Sequence, residues 1–192
     1  MAQFRLPRIL LVCLAVAGLA VSATACGEDV GTEETPAREG LALDVSGVDY
    51  NIFITRELNL RITPDRAYYS GPPAARNKVL YGMFLQACGA SKKRVRTIPP
   101  ENFVIEDNQG HRFLPKSLPE SNPFAYKSTM VSEQQCEPQP GSVAQQGPTA
   151  GSLLIYEFPL QDAENRPLQL HIEGKYDLLT NRRESKIVDL DL

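Results

Sequence analysis

From Val48 onward the chain is patterned in twos. In Tyr50-Asn51-Ile52-Phe53-Ile54-Thr55, the side chains of Tyr50, Ile52 and Ile54 fall on one face, the alternation a half-buried strand requires. Val79 to Cys88 is apolar on both faces. That predicts a central strand lying between the core and a covering element, with Gly82 at a close approach or a bulge. Phe103 to Ile105 and His111 to Leu114 flank Asp107-Asn108-Gln109-Gly110, a predicted hairpin in which Gly110 supplies a positive φ. Thr149 to Phe158 reads as a strand ended by Pro159, with Leu153 and Ile155 on one face and Leu154, Tyr156 and Phe158 on the other. Leu168, Leu170 and Ile172 alternate with polar neighbours, and Lys186 to Leu190 gives a last strand. No segment keeps a 3.6-residue stripe beyond a turn or two, and Gly71 to Lys78 and Ser117 to Gln146 read as loops or short helical turns. The prediction is an all-β sandwich of about seven to eight short antiparallel strands.

The N-terminus has a different logic. Arg5 and Arg8 precede an apolar run from Ile9 to Ala25, and no acidic residue occurs before Glu28. The run sits at the short limit for crossing a ~30 Å hydrocarbon core, and its small-residue end, Ser22-Ala23-Thr24-Ala25, suits a cleavage site. With Cys26 immediately after it, this segment resembles the lipobox of bacterial lipoproteins. Where the common lipobox has leucine three residues before the cysteine, this chain has Ala23. The resemblance implies cleavage after Ala25, diacylglycerol on the Cys26 sulfur and attachment to the outer face of the cell membrane. The alternatives are an ordinary secretory signal and an uncleaved anchor. Loss of Arg5 and Arg8 with residues 1–25 takes the net charge from −3 to −5. Residues 26–47 are acid-rich, with Glu28, Asp29, Glu33, Glu34 and Glu39, and poor in apolar groups. They are expected to form a solvated tether that holds a domain, residues 48–192, off an anionic surface.

Of four cysteines, Cys13 falls in the signal and Cys26 is committed to lipid, which leaves Cys88 and Cys136. An even pair in an oxidising compartment predicts a disulfide. The rival, a reactive or metal-binding thiol pair, lacks a C-x-x-C spacing.

The run from Tyr50-Asn51-Ile52-Phe53-Ile54-Thr55 through Leu58-Asn59, Val79 to Cys88, Phe103, Asp107 and Gly110 to Gly151-Ser152-Leu153-Leu154-Ile155-Tyr156-Glu157-Phe158-Pro159 resembles a bacterial extracellular immunoglobulin-like domain of unknown function. That group is similar to the mycobacterial immunoprotective extracellular antigen. The resemblance spans about residues 48–192 and implies an immunoglobulin-like β-sandwich outside the membrane, with no catalytic residues to carry over.

Residues for catalysis are sparse. Neither G-x-S-x-G nor S-x-x-K with its partners is present. His111, His171, Met83 and Met130 are scattered, whereas a metal site needs three or four convergent ligands, so no metal and no cofactor is expected. Gly147 to Ser152 lacks the lysine of a phosphate loop, and Asp162 and Glu164 fall in a turn-like stretch, Gln161 to Pro167. The acidic balance argues against nucleic acid.

One local feature stands out on this acidic chain: Lys92, Lys93, Arg94 and Arg96, with Arg76 and Lys78 expected at the far end of the preceding strand. It reads either as a solvated loop or as a patch for anionic lipid, an anionic wall polymer or an acidic envelope protein. The span Ser117 to Gln146, held by Cys136 and carrying Phe124, Tyr126 and Met130, is the expected recognition surface, although those side chains also suit a core edge. The expected function is therefore a membrane-anchored, extracytoplasmic, non-catalytic binding or interaction module. An envelope small-molecule carrier with an apolar cavity between its sheets is the first alternative, and an envelope hydrolase the second.

Overall fold

The computed structural model describes residues 30–192; the expected signal peptide and the expected acylation site Cys26 lie outside the described residues. Its strands are β1 (Ala37–Arg38), β2 (Ala42–Val45), β3 (Val48–Glu57), β4 (Lys78–Gly89), β5 (Val95–Arg96), β6 (Phe103–Glu106), β7 (Arg112–Phe113), β8 (Met130–Val131), β9 (Cys136–Glu137), β10 (Ser152–Pro159), β11 (Gln169–Asp177) and β12 (Arg182–Asp189). Seven of these have four or more residues, within the range expected from the alternation. Two one-turn helices, α1 (Asp65–Tyr68) and α2 (Val143–Gln146), are set in loops.

The strands form two main sheets, ordered β1-β12-β11-β6-β7 and β10-β4-β3-β2, with β9 added beside β4 and a separate β5-β8 pair. Pairing is antiparallel except for β1, which runs parallel to β12. Between the sheets, Tyr50, Ile52, Met83, Leu85, Tyr156 and Phe158 pack with Phe103, Ile105, Leu170, Ile172 and Val188, all 1% exposed or less. Edge-to-face ring contacts, Tyr50–Phe103 at 5.6 Å and Phe113–Phe158 at 4.8 Å, join the two layers.

The doubly apolar segments have the expected cause. On the outer face of β4 and β10, Leu80, Phe84, Leu153 and Ile155 meet a second cluster made by Leu58, Tyr68, Tyr69, Phe124 and Ala144. The covering layer is pinned by Arg56, whose guanidinium forks onto the buried Asp65 carboxylate at 2.5 and 3.0 Å. Gly82 faces that layer, and a Cβ there would come within 2.9 Å of Leu58 Cδ2.

Two expectations need correction. The tether does not extend to residue 47: Ala37 pairs with Val188, while Leu43 and Val45 alternate inward and pair with β3. Three apolar residues suffice because the Ser46–Gly47 turn (φ +58° and +81°) folds them back onto an existing strand. The domain therefore includes residues well before Val48. Second, Ile54 is 39% exposed, whereas Thr55 is buried. A bulge between Ile52 and Ile54 shifts the register against β4 and exchanges the faces.

The Cys88–Cys136 disulfide forms between directly paired residues of β4 and β9, 48 residues apart in sequence. In the chain-entropy account, closing a loop of that length stabilises the fold by ~4 kcal/mol. The double variant Cys88→Ala with Cys136→Ala is expected to lose a large part of that in denaturant unfolding, with a raised m-value because the uncrosslinked denatured chain is less compact. A loss under about 1 kcal/mol would show that β9 is held by its other contacts.

Candidate functional site: the loop end of the sandwich

β4 and β11 both run toward one end of the molecule, and the candidate residues gather there. Where β4 ends, Gly89 N–H donates to Gln135 O at 3.0 Å and Ala90 N–H to Gly47 O at 3.3 Å. Ser91 O accepts Glu133 N–H at 2.6 Å, and β5 then pairs with β8. These bonds fix both feet of the loop that carries Lys92, Lys93 and Arg94, all exposed, with Arg96 exposed on β5. Among the described residues none of these four cations has an ion-pair partner. Arg76 and Lys78 stand at the other end of the twelve-residue β4, some 35 Å away at ~3.3 Å per residue, and do not share the patch.

Two grooves flank the Ser117–Gln146 span. One, of about 710 Å³, is polar and takes Arg94 and Arg96 together with Thr129, Gln134, Gln135 and Gln139. The other, of about 650 Å³, lies over β10 and is lined by Pro115, Lys116, Leu118, Pro119, Tyr126 and Lys127 among others. The aromatic residues of this span face inward. Phe124 is 8% exposed and packs on Tyr68, while Tyr126 is 4% exposed and donates its hydroxyl to Ile98 O at 2.8 Å. The Tyr50 hydroxyl accepts Ile98 N–H at 2.7 Å, and burial raises its pKa to about 12. These phenols are structural links, not proton donors at neutral pH.

The histidines are accounted for locally. His111 is exposed, and its Nδ1 lies 2.8 Å from Asp107 Oδ2. Asp107, His111 and Asp162 fall within 4.8 Å of one another, close enough to suggest a cation site. The lone pairs of Asp107 are already committed. Oδ1 accepts Gln109 N–H at 2.9 Å and His111 N–H at 2.8 Å, and Oδ2 faces His111 Nδ1 and accepts Asn165 Nδ2–H at 3.0 Å. The carboxylate caps the β6–β7 turn, where Gly110 takes the expected positive φ of +83°, and ties it to the Asp162–Glu164 turn. His171 Nε2 is buried without a hydrogen bond, 3.9 Å from Glu106. Glu137, raised in pKa by burial, accepts Ser152 Oγ–H at 2.9 Å, and no histidine is bonded to that pair.

Sequence reasoning passed over one element. β11 and β12 continue beyond the sandwich as a hairpin whose tip places Leu178 and Leu179 in solvent, 85% and 97% exposed, beside the half-exposed Tyr176. The tip is ordered from within. Asp177 Oδ1 accepts Leu179 N–H at 2.8 Å, its Oδ2 accepts the Thr180 hydroxyl at 2.9 Å, and Tyr176 donates to Asn181. The available signal was two adjacent leucines bracketed by the turn formers Asp177 and Asn181, with Arg182 and Arg183 following.

No family model matches the chain, and no curated protein does. Among solved structures, it is similar to a functionally unknown protein from Listeria monocytogenes EGD-e (TM-score 0.49, 8% identity, 81% of this chain and 85% of that one). It is also similar to the yjhA protein of Bacillus subtilis (TM-score 0.48, 8% identity, 81% and 99%). A third likeness is to the ycdA protein of Bacillus subtilis, described as a lipoprotein candidate (TM-score 0.47, 6% identity, 79% of this chain), of which the match spans only 38%. At these identities and scores the likenesses carry no functional argument. Among the described residues no helix is long and apolar enough to cross a membrane.

The Asp107 cap makes a prediction of two opposite signs. Burial resists ionisation of Asp107, but the bonds from Asn165, His111 and Gln109 outweigh it and hold the carboxyl well below its ordinary 3.8. Its stabilisation is full above that value and fades as pH falls below it. His111 is raised above its ordinary 6.5 by the same carboxylate, so its share is full below 6.5 and is lost as pH rises through the raised value. Asp107→Asn should cost about 1–3 kcal/mol at neutral pH. It should also return the His111 NMR titration midpoint to ~6.5. A midpoint that does not move would mean the pair does not form in solution.

Proposed function

We propose that the chain is a lipoprotein, held by acylated Cys26 to the outer face of the cell membrane, whose sandwich is a non-catalytic interaction module for an envelope partner. The observation that supports it best is a fully packed interior combined with a grooved loop end. The space between the sheets is filled by Tyr50, Phe103, Tyr126, Tyr156 and Phe158, which leaves little for a carrier to hold. Two grooves, of about 650 and 710 Å³, open to solvent along Ser117–Gln146. The disulfide fits an oxidising compartment. The reading retains the resemblance to extracellular immunoglobulin-like domains of the mycobacterial antigen type. A hydrolase is disfavoured because the buried phenols and Asp107 are committed to backbone and turn contacts, and the Glu137–Ser152 pair has no histidine bonded to it.

Two measurements test the parts separately. Cys26→Ser should move the protein from the detergent phase to the aqueous phase in a cloud-point separation and abolish incorporation of radiolabelled palmitate. Persistence in the detergent phase with no acyl mass on the N-terminal peptide would favour an uncleaved anchor. A photo-crosslinking residue in place of Glu120, on the rim of the β10 groove, should give a discrete adduct in intact cells. The same residue in place of Leu160, at the opposite end, should not. No adduct at Glu120, or equal adducts at both positions, would count against the groove as a recognition surface.

A further inference from the structure

The hairpin stem and the basic loop are neighbours, and the described chain begins beside β12. Ser46 Oγ accepts Lys175 N–H at 3.0 Å and donates to Glu184 at 2.7 Å, while Gly47 O accepts Ala90 N–H at 3.3 Å. A single two-residue turn therefore touches both the stem of the Leu178–Leu179 hairpin and the foot of the Lys92–Arg96 loop. On the other side of the stem, Ile187 N–H donates to Gly31 O at 2.9 Å, and Gly31 packs against Leu43 and Lys186. Val30 is thus placed on the flank of β12 beside Lys186 and Ile187, the latter paired with His171, ~10 Å back along the strand from Gly174.

From this arrangement we infer that the loop end of the sandwich is a membrane-docking face, in which Leu178 and Leu179 enter the interface of an anionic bilayer and Lys92, Lys93, Arg94, Arg96, Lys175 and Arg182 meet its headgroups. Two adjacent leucines at nearly full exposure on an internally bonded turn have no partner within the domain, and an ordered apolar tip of this kind marks a contact site. Its form selects the occupant. The tip is convex and small, whereas a stable protein partner needs roughly 800 Å² on each side with matching shape, and a bilayer interface receives a convex apolar tip without complementarity. The charge agrees. Of the acids at this end, Glu173 is ion-paired with Arg112 and Arg183, whereas Asp177, Glu184, Asp44, Asp49 and Glu133 keep their charge, so the attraction comes from the Lys92–Arg96 loop itself. Glu33 and Glu34 stand on the Gly31–Thr35 turn beside β12.

The reach agrees as well, and here the inference rests on the proposed acylation of Cys26. Because β1 and β2 belong to the sheets, the spacer is short. Only three residues lie between Cys26 and Val30, and the four Cα steps span at most ~14 Å in any conformation. The hairpin runs three residues past Gly174 on each strand, ~10 Å beyond the body, before its turn. An anchored domain is held within that distance of the surface, and the tip, ~20 Å along the strand from Val30, reaches it with the hairpin lying obliquely, the reverse of the standoff expected from an acidic tether.

The test uses the full chain, processed by a host that acylates lipoproteins and reconstituted into vesicles of phosphatidylcholine alone or with 30% phosphatidylglycerol. Leu179→Cys, a solvent-exposed substitution with no folding cost expected, carries an environment-sensitive fluorophore; Leu160→Cys at the far end is the control. On anionic vesicles the Leu179 label should shift to the blue and lose most of its emission to doxyl-lipid quenchers, and the Leu160 label should do neither. Replacing Lys92, Lys93, Arg94 and Arg96 by alanine should reduce that quenching several-fold, as should raised salt. A Leu179 label that stays in water on both vesicles overturns the proposal. So does a response equal on neutral lipid and unmoved by the four substitutions, or retention on a soluble polyglycerol phosphate with the label still in water. Acyl mass at Cys26, read on the same samples, separates failure of the anchor from failure of the face. Unacylated protein that floats with anionic vesicles and is quenched at Leu179 still supports the docking face.

Discussion

Burial of the β4–β10 pair on both faces is the constraint from which the rest of the architecture follows. Their inner residues, Met83, Leu85, Tyr156 and Phe158, require a second sheet, and β6, β11 and β12 supply it. Their outer residues, Phe84, Leu153 and Ile155, require a cover that a two-sheet fold does not provide. The chain meets that need with loops. α1, Phe124 and Ala144 of α2 are folded over the outer face, and the Arg56–Asp65 fork satisfies the polar groups that this burial would otherwise strand. The disulfide has a place in the same scheme. It fastens β9 to β4 at the point where the covering span begins its return toward β10.

This explains why the Ser117–Gln146 span is both a cover and a grooved part of the surface. Loops that fill a face with a few large rings, here Tyr68, Tyr69 and Phe124, cannot tile it as evenly as a strand would. Gaps remain between successive anchoring points, at Lys116 and again at Phe124 to Tyr126 along the edge of β10. The aromatic residues that looked like candidate ligand contacts are the anchors, and the grooves are what lies between them.

How much was legible in the sequence follows from how local each determinant is. The faces of β4 and β10 could be read because alternation over eight to twelve residues is a property of one strand. Gly82 and Gly110 could be read because a close approach or a positive φ leaves few other residues eligible. Ile54 was misplaced because one inserted residue exchanges every later face, and nothing in Ile52-Phe53-Ile54 marks the insertion. Leu43 and Val45 were hidden by acidic neighbours, since whether four residues form a strand depends on a partner strand being ready to receive them. Composition, which suggested a tether, averages over the few side chains that decide the matter. At the candidate site, the basic run was plain in the sequence, but its proximity to Leu178 and Leu179, some ninety positions later, is a product of the Ser46–Gly47 turn and of no local pattern.

The distribution of charge completes the physical picture. Without residues 1–25 the chain carries a net charge of −5, yet the loop end holds Lys92, Lys93, Arg94, Arg96, Lys175 and Arg182 free of ion pairs among the described residues. The same end also carries Asp44, Asp49, Glu133, Asp177 and Glu184, so the positive field is confined to the Lys92–Arg96 loop and its surroundings. A charge asymmetry of this kind acts on orientation before it acts on affinity. On the proposed docking face an apolar tip stands beside that loop, an arrangement in which electrostatic approach and apolar insertion would reinforce each other. On the opposite end the leucines would be presented only against the field of the whole domain. Their position beside the basic loop, set by one turn between β2 and β3, is what makes the two features a single surface.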